Sequence, residues 1–277
     1  MMQQDFPGKR ILITGAGSGL GQATAIRFAA AGWQVAVTDV DSGRIGDTIG
    51  QLAGSDHLEA VLDVRSQPDW DAARARVESS WGGLDVVVNN AGVAAAVSVA
   101  DASDQDWEWM MDINLMGVIR GCRCFVPLMQ NQGRGHVVNV SSFAGLASAP
   151  GMATYNVAKA GVISLSETLR AEGVDHGIGV SVVCPSFFAT NLLDSVPDRN
   201  APFRHVVQRM MDKSSVTAGH VAECIYDGVM KNRFMLIPHP KARQHYWLKR
   251  LLPETYFKQL VAFARRQKSR LGQAQRP

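Results

Sequence analysis

The chain has 277 residues, 46% hydrophobic and 19% charged, with a formal net charge of +3. That balance suits a globular protein able to bury a real core. It excludes a bilayer span, since no apolar run approaches the ~20 residues required, and the N-terminal MMQQDFPGKR lacks the apolar core of a signal peptide. Cys122, Cys124, Cys184 and Cys224 form no C-x-x-C pair, which predicts free thiols in a reducing cytoplasm. The seven histidines are scattered; no metal constellation is expected, and His136 and His239 read as packing or surface residues.

In chain order, Arg10 to Thr14 is a short apolar run that leads into TGAGSGLG, and Gln22 to Ala31 reads as a helix. Strand, glycine turn and helix form the context of a dinucleotide-phosphate loop, because glycines let the backbone approach a pyrophosphate whose charge sits at a helix N-terminus. Gln34 to Thr38 predicts a second strand ending at Asp39, about twenty residues past the glycines, where a carboxylate binds adenosine ribose hydroxyls and repels a 2′-phosphate. No Lys or Arg stands inside the glycine loop or directly after Asp39, so NAD is expected over NADP. The alternative is that Asp39 only opens a turn through Gly43.

His57 to Leu62 predicts a third strand closing on Asp63, and Ser66 caps a helix over 69–81. Leu84 to Val88 is apolar throughout, as in a strand buried on both faces, and ends in Asn89-Asn90-Ala91-Gly92. Ser103 and Asp106 predict a capping box opening one long helix through Met129 that carries Asn114. A fifth strand, His136 to Val140, delivers Ser141 and Ser142. A helix over 152–170, a sixth strand over 179–183, a helix from Thr217 to Met230 and a short seventh strand over 234–237 follow. Strands alternating with helices predict a parallel sheet of about seven strands with right-handed crossovers, an α/β Rossmann-type doubly wound fold with helices on both faces. Ligands bind beyond the carboxyl ends of such strands, where the glycine loop, Asp39, Asn90 and Ser142 all lie.

Tyr155 and Lys159 are four apart on a predicted helix, so their side chains share a face. A free phenol titrates near ~10, and an adjacent ammonium favours the phenolate. Lowering that value to ~7 needs roughly 4 kcal/mol of differential interaction.

Together Thr14-Gly15-x-x-x-Gly19-x-Gly21, Asp63, Asn89-Asn90-Ala91-Gly92, Asn114, Ser142 and Tyr155-x-x-x-Lys159 resemble the short-chain dehydrogenases/reductases, in the simple single-domain branch, over residues 8 to 240. The resemblance implies an NAD(P)-dependent oxidoreductase acting on a CH-OH group. In it Tyr155 is the general acid/base, Ser142 holds the substrate oxygen, Lys159 tunes Tyr155 and binds ribose, and Asn114 holds a water behind Lys159. It likewise implies a cofactor site of Gly15, Ser18, Gly19, Leu20, Gly21, Asp39, Asp63, Val64, Asn90, Ala91, Gly92, Tyr155, Lys159, Pro185 and Thr190, and assembly as a homodimer or homotetramer. The chain departs from the family at Pro185-Ser186, where Pro-Gly is common.

The expected organisation is a Rossmann domain over 1–240, with a substrate loop at about 186–215, followed by a helical C-terminal extension over 241–277. Phe187, Phe188, Leu192, Leu193 and Val196, with 94–96, Phe143, Leu146 and Met152, predict an apolar pocket for a small hydrophobic alcohol or carbonyl. The extension holds ten basic residues and one acid, a net of +9, leaving −6 for the first 240 residues. Its stripe of Tyr256, Phe257, Leu260, Val261 and Ala264 suits packing on this or a neighbouring subunit; peripheral membrane contact is the less favoured reading, and nucleic-acid binding is not expected. A redox sensor or scaffold without turnover would need only the glycine loop and Asp39, so the intact Asn114, Ser142, Tyr155 and Lys159 argue for an enzyme.

Overall fold

The structure, a computed structural model, describes residues 6–189, 207–209 and 211–274, with side chains through 266. Among the described residues seven strands form one sheet: β1 (Arg10–Thr14), β2 (Gln34–Asp39), β3 (Leu58–Val61), β4 (Val86–Asn89), β5 (Gly135–Val140), β6 (Ile178–Val183) and β7 (Met235–Leu236). The order is β3-β2-β1-β4-β5-β6-β7, and every pairing is parallel. Side chains alternate across a strand. Thus Ile11 and Ile13 of β1 enter one core with Phe28 and Ile225, while Leu12 enters the other with Trp70, Val77 and Phe125. Both faces are covered by helices, which accounts for the unbroken apolar runs.

Those helices are α1 (Gly19–Ala29), α2 (Ser42–Ile49), α3 (Gln67–Trp81), α4 (Asp104–Met111), α5 (Gly117–Gln132), α6 (Phe143–Ala147), α7 (Ala153–Glu172), α8 (Ala218–Met230), α9 (Pro240–Leu251) and α10 (Pro253–Ala274). Two differ from the sequence expectation. The turn read after Asp39 is the start of α2, because the Asp41 carboxylate accepts from the Gly43 and Arg44 N–H groups and caps a helix there. The long helix opened by the Ser103–Asp106 capping box is interrupted by a π-helical turn, Asp112–Met116, at Asn114. A π turn inserts one residue into a helix and re-aims the side chains it carries. No helix of the described residues is long and apolar enough to cross a membrane.

The sheet also buries His136 completely. The Ser181 hydroxyl donates to the Arg233 carbonyl at 2.6 Å, so at 2.8 Å it accepts from His136 Nε2. With no bulk water to solvate an imidazolium, the ring's pKa falls from 6.5 to about 3. The unfolded chain therefore binds one more proton than the fold between those two values. Stability is present above 6.5 and is lost as pH falls through the window, with a total on the order of 4 to 5 kcal/mol. Urea midpoints measured from pH 7 down to 3 are expected to fall steeply, and more steeply than those of His136→Gln; parallel curves would refute this account.

Candidate active site

A cavity of about 790 Å³ opens at the carboxyl rim of the sheet, running from Asp39 past Tyr155 to the C-terminal helices. Of the predicted cofactor residues, Gly15, Ser18, Gly19, Leu20, Asp39, Asp63, Val64, Asn90, Ala91, Gly92, Tyr155, Lys159 and Pro185 line it, as do Asn114 and Ser142. Gly21 does not reach the wall. It faces the turn itself, where an added Cβ would run into the Gly15 carbonyl oxygen, so its role is to let α1 pack close behind the loop. Thr190, Leu192, Leu193 and Val196 lie outside the described residues.

The phosphate end fits an anionic dinucleotide. The Ser18 side chain makes no cap hydrogen bond and the first turn of α1 holds no acid, whereas Asp41, Ser66, Ser103 and Thr217 cap α2, α3, α4 and α8. Uncapped N–H groups at a helix N-terminus attract a phosphate. Asn90 locks the loop by donating to the Thr14 carbonyl at 2.8 Å and the Gly15 carbonyl at 3.2 Å. Asp39 is 9% exposed; its Oδ2 accepts from Gly17 N–H at 3.0 Å and its Oδ1 from Asp41 N–H at 3.2 Å.

At the reactive end, Ser142 and Tyr155 both line the cavity, and the Ser142 hydroxyl donates to the Pro185 carbonyl at 3.5 Å. Ser142 Oγ also accepts from Ala144 N–H at 3.1 Å, which seats it as the cap of α6. Ser141 faces the other way and donates to the Lys159 carbonyl at 2.7 Å, so Ser142 is the serine presented to the cavity. Lys159 Nζ donates to the Val140 carbonyl at 3.0 Å and lies 5.9 Å from the Tyr155 ring centroid. Asn114 uses both ends of its amide on Val93, accepting from its N–H at 3.0 Å and donating to its carbonyl at 2.9 Å. Gly92 is required beside them, because a Cβ there would sit 2.5 Å from Asn114 Oδ1 and 3.4 Å from Lys159 Nζ.

The electrostatics correct one expectation. Burial pushes the Tyr155 phenol above its ordinary value, opposed by the nearby Ser142 hydroxyl, so the chain alone does not make the phenol acidic. Burial also lowers the Lys159 amine from 10.5 to about 8, which leaves it mostly charged at neutral pH. The amine is turned toward Val140, and burial is the leading cause of both shifts.

A family model for short chain dehydrogenases matches residues 9–201. The chain belongs to the short-chain dehydrogenase family. A short-chain dehydrogenase/reductase from Burkholderia phymatum, solved in complex with NAD, superposes with a TM-score of 0.85 at 32% identity, covering 92% of this chain and 96% of that one. A probable oxidoreductase, EphD, of Mycobacterium tuberculosis is 32% identical over 256 residues; these span 88% of this chain and 43% of that protein, less than half its length. The 3-oxoacyl-[acyl-carrier-protein] reductase FabG of Thermotoga maritima is 33% identical over 194 residues, 69% of this chain and 79% of that protein.

Several wall residues of this short-chain dehydrogenase escape a motif reading. Arg44 lines the cavity near Asp39, and a Cβ on Gly17 would lie 2.7 Å from its Cβ; the capped helix start at Asp41 was the signal for it. Arg65 forks the Asp63 carboxylate, which holds that carboxyl below its usual range and occupies the group expected to meet adenine. His239, read as packing, shapes the departure at Ser186: its Nδ1 accepts from Ser186 N–H at 3.1 Å, so its Nε2 donates to the Phe187 carbonyl at 3.1 Å. Trp109, Val207 and Met211 join Ala94, Phe143, Met152, Phe187 and Phe188 on the substrate side, whereas Leu146 packs beneath with Ile163 and Ile237.

Proposed function

We propose that the chain is an NAD(P)-dependent oxidoreductase that interconverts a hydrophobic secondary alcohol and its ketone or aldehyde, with Tyr155 as general acid/base. The observation that carries this reading is one cavity lined by Ser142, Tyr155 and Lys159 towards one end and by an uncapped glycine turn at the other. When bound, the nicotinamide would accept or supply the hydride at the substrate carbon. Ser142 holds the substrate oxygen against Tyr155. In the reducing direction Tyr155 gives its proton to the carbonyl oxygen as that oxygen becomes an alkoxide; in the oxidising direction its phenolate takes the hydroxyl proton. Lys159, charged at neutral pH, stabilises the phenolate left by proton transfer and offers donors to a ribose. Asn114 fixes the 93 backbone that walls the amine and orders water there.

A phenol pushed upward by burial is protonated at neutral pH, the form that carbonyl reduction uses. Ketone reduction is therefore expected to be level through neutral pH and to fall at alkaline pH, and alcohol oxidation to rise with pH. Tyr155→Phe should lower kcat by at least about a thousandfold while the Kd for reduced cofactor, followed by fluorescence, changes little; retained turnover would remove Tyr155 from the acid/base role.

The cofactor reading is NAD over NADP, because Asp39 places a carboxylate where a 2′-phosphate would sit. Arg44 opposes it as the cation that could hold such a phosphate. Asp39→Ala is expected to shift the NAD-to-NADP ratio of kcat/KM toward NADP by about tenfold, a change of about 1.4 kcal/mol; a wild type already preferring NADP would reverse the assignment.

Assembly as a homodimer or homotetramer through the helices containing Asn114 and Tyr155 is supported by Met116, 37% exposed in the π turn before α5, and Val157, 48% exposed on α7. Mass by light scattering is expected to exceed the 30.0 kDa of one chain at least twofold, and Val157→Glu is expected to lower it. A monomeric wild type would end this reading.

A further inference from the structure

The C-terminal helices lie beyond residues 9–201 that match the family, yet they close one side of its cavity. Tyr256, Gln259, Leu260 and Phe263 of α10 are spaced i, i+3, i+4, i+7 and all face the cavity wall. Of the apolar stripe that the sequence predicts, Tyr256, Leu260, Val261 and Ala264 are the less exposed residues of α10, and Phe257, at 58%, is the exception.

The placement is enforced. The Tyr256 hydroxyl donates to the Ala147 carbonyl at 2.9 Å, and Lys249 Nζ donates to the Leu146 carbonyl at 2.6 Å and to Ser148 Oγ at 3.3 Å. His245 meets the Phe143 ring edge-on, with centroids 6.4 Å apart. All four anchor points belong to α6 or the residue after it, and Ser142 is the cap of α6. The position of α10 is thereby registered against the serine that meets the substrate oxygen. Phe263 is still 45% exposed although it lines the cavity, so an apolar ligand beneath it would gain burial.

We propose that α10 is the distal wall of a subsite for the long apolar arm of the substrate, so that the chain selects ketones and secondary alcohols carrying an extended alkyl chain over short ones. This deepens the reading above and rests on it for the reacting end. Leu260 and Phe263 are the specificity-determining residues; Met152 and Met211, whose unbranched side chains adapt to a chain of variable shape, line the same cavity.

The test compares methyl ethyl ketone with methyl heptyl ketone on the full-length protein, by absorbance of reduced nicotinamide with both cofactors and by calorimetric binding of the longer ketone. Wild type is expected to favour the longer ketone in kcat/KM. Phe263→Ala and Leu260→Asn should each lower the long-to-short ratio by about tenfold. Trp247→Ala, on the outer side of α9 at 52% exposure, should leave that ratio as it is. An unchanged ratio in both wall variants overturns the proposal, as does an equal response to Trp247→Ala. If neither ketone is turned over, the catalytic reading fails and calorimetry decides this one separately. Binding of the longer ketone that both wall variants weaken about tenfold upholds the subsite; no binding by wild type, or binding that neither variant weakens, removes it.

Discussion

A lysine amine 4% exposed is an expensive thing to place inside a protein, and the architecture around the reactive end is built to hold it. Its depression from 10.5 to about 8 corresponds to about 3 kcal/mol of desolvation not recovered by local contacts. The Val140 carbonyl at the end of β5 receives its hydrogen bond. Ser141, next along, ties the carbonyl of Lys159 itself. The π turn at Asn114 turns an amide onto Val93, and Gly92 leaves the room that a Cβ would take. The end of β5, the turn after β4 and the π turn thus converge around this one lysine of α7, with Tyr155 and Ser142 lining the same cavity.

The second constraint is the parallel sheet. With every strand pointing one way, β1, β2, β4 and β5 all deliver their last residues to a single rim. Thr14, Asp39, Asn90 and Ser142 are therefore neighbours by topology. Hydrogen bonds from Asn90 to Thr14 and Gly15, and from Gly17 to Asp39, then convert proximity into a fixed loop. No side chain caps the start of α1, and Gly15, Ser18 and Gly19 line the cavity there.

The C-terminal helices show how a segment beyond the residues matched by the family model can be drawn into the site. Their inner face is tied to α6, and through α6 to Ser142, while Trp247, Leu251, Leu252 and Phe257 stay on the outside. Charge did not settle which face turned inward. The anchoring carbonyls of 146 and 147 did, by accepting from Lys249 and Tyr256.

How much could be read in advance follows from the range of the forces involved. Strand identity, the glycine turn and the Tyr155–Lys159 face depend on contacts within a few residues, and the order of those pieces dictates a parallel sheet with its ligand rim. The start of α2 at Asp41 is also local, but an Asp there suits a turn as well as a helix cap, so the residues alone leave both open. By contrast, the π turn at Asn114, the fork of Arg65 on Asp63, the nearness of Arg44 to Asp39 and the docking of Tyr256 on the Ala147 carbonyl depend on where separate elements come to rest. So does the direction of the Tyr155 shift. A local view sees a cation one turn away, whereas burial by β5, α4 and α7 decides the sign. The sequence by itself determined the fold and the kinds of groups at the rim, because periodicity and turn chemistry are short-range. Only the tertiary structure decided their protonation, their partners and the far wall, because desolvation and packing depend on the whole enclosure.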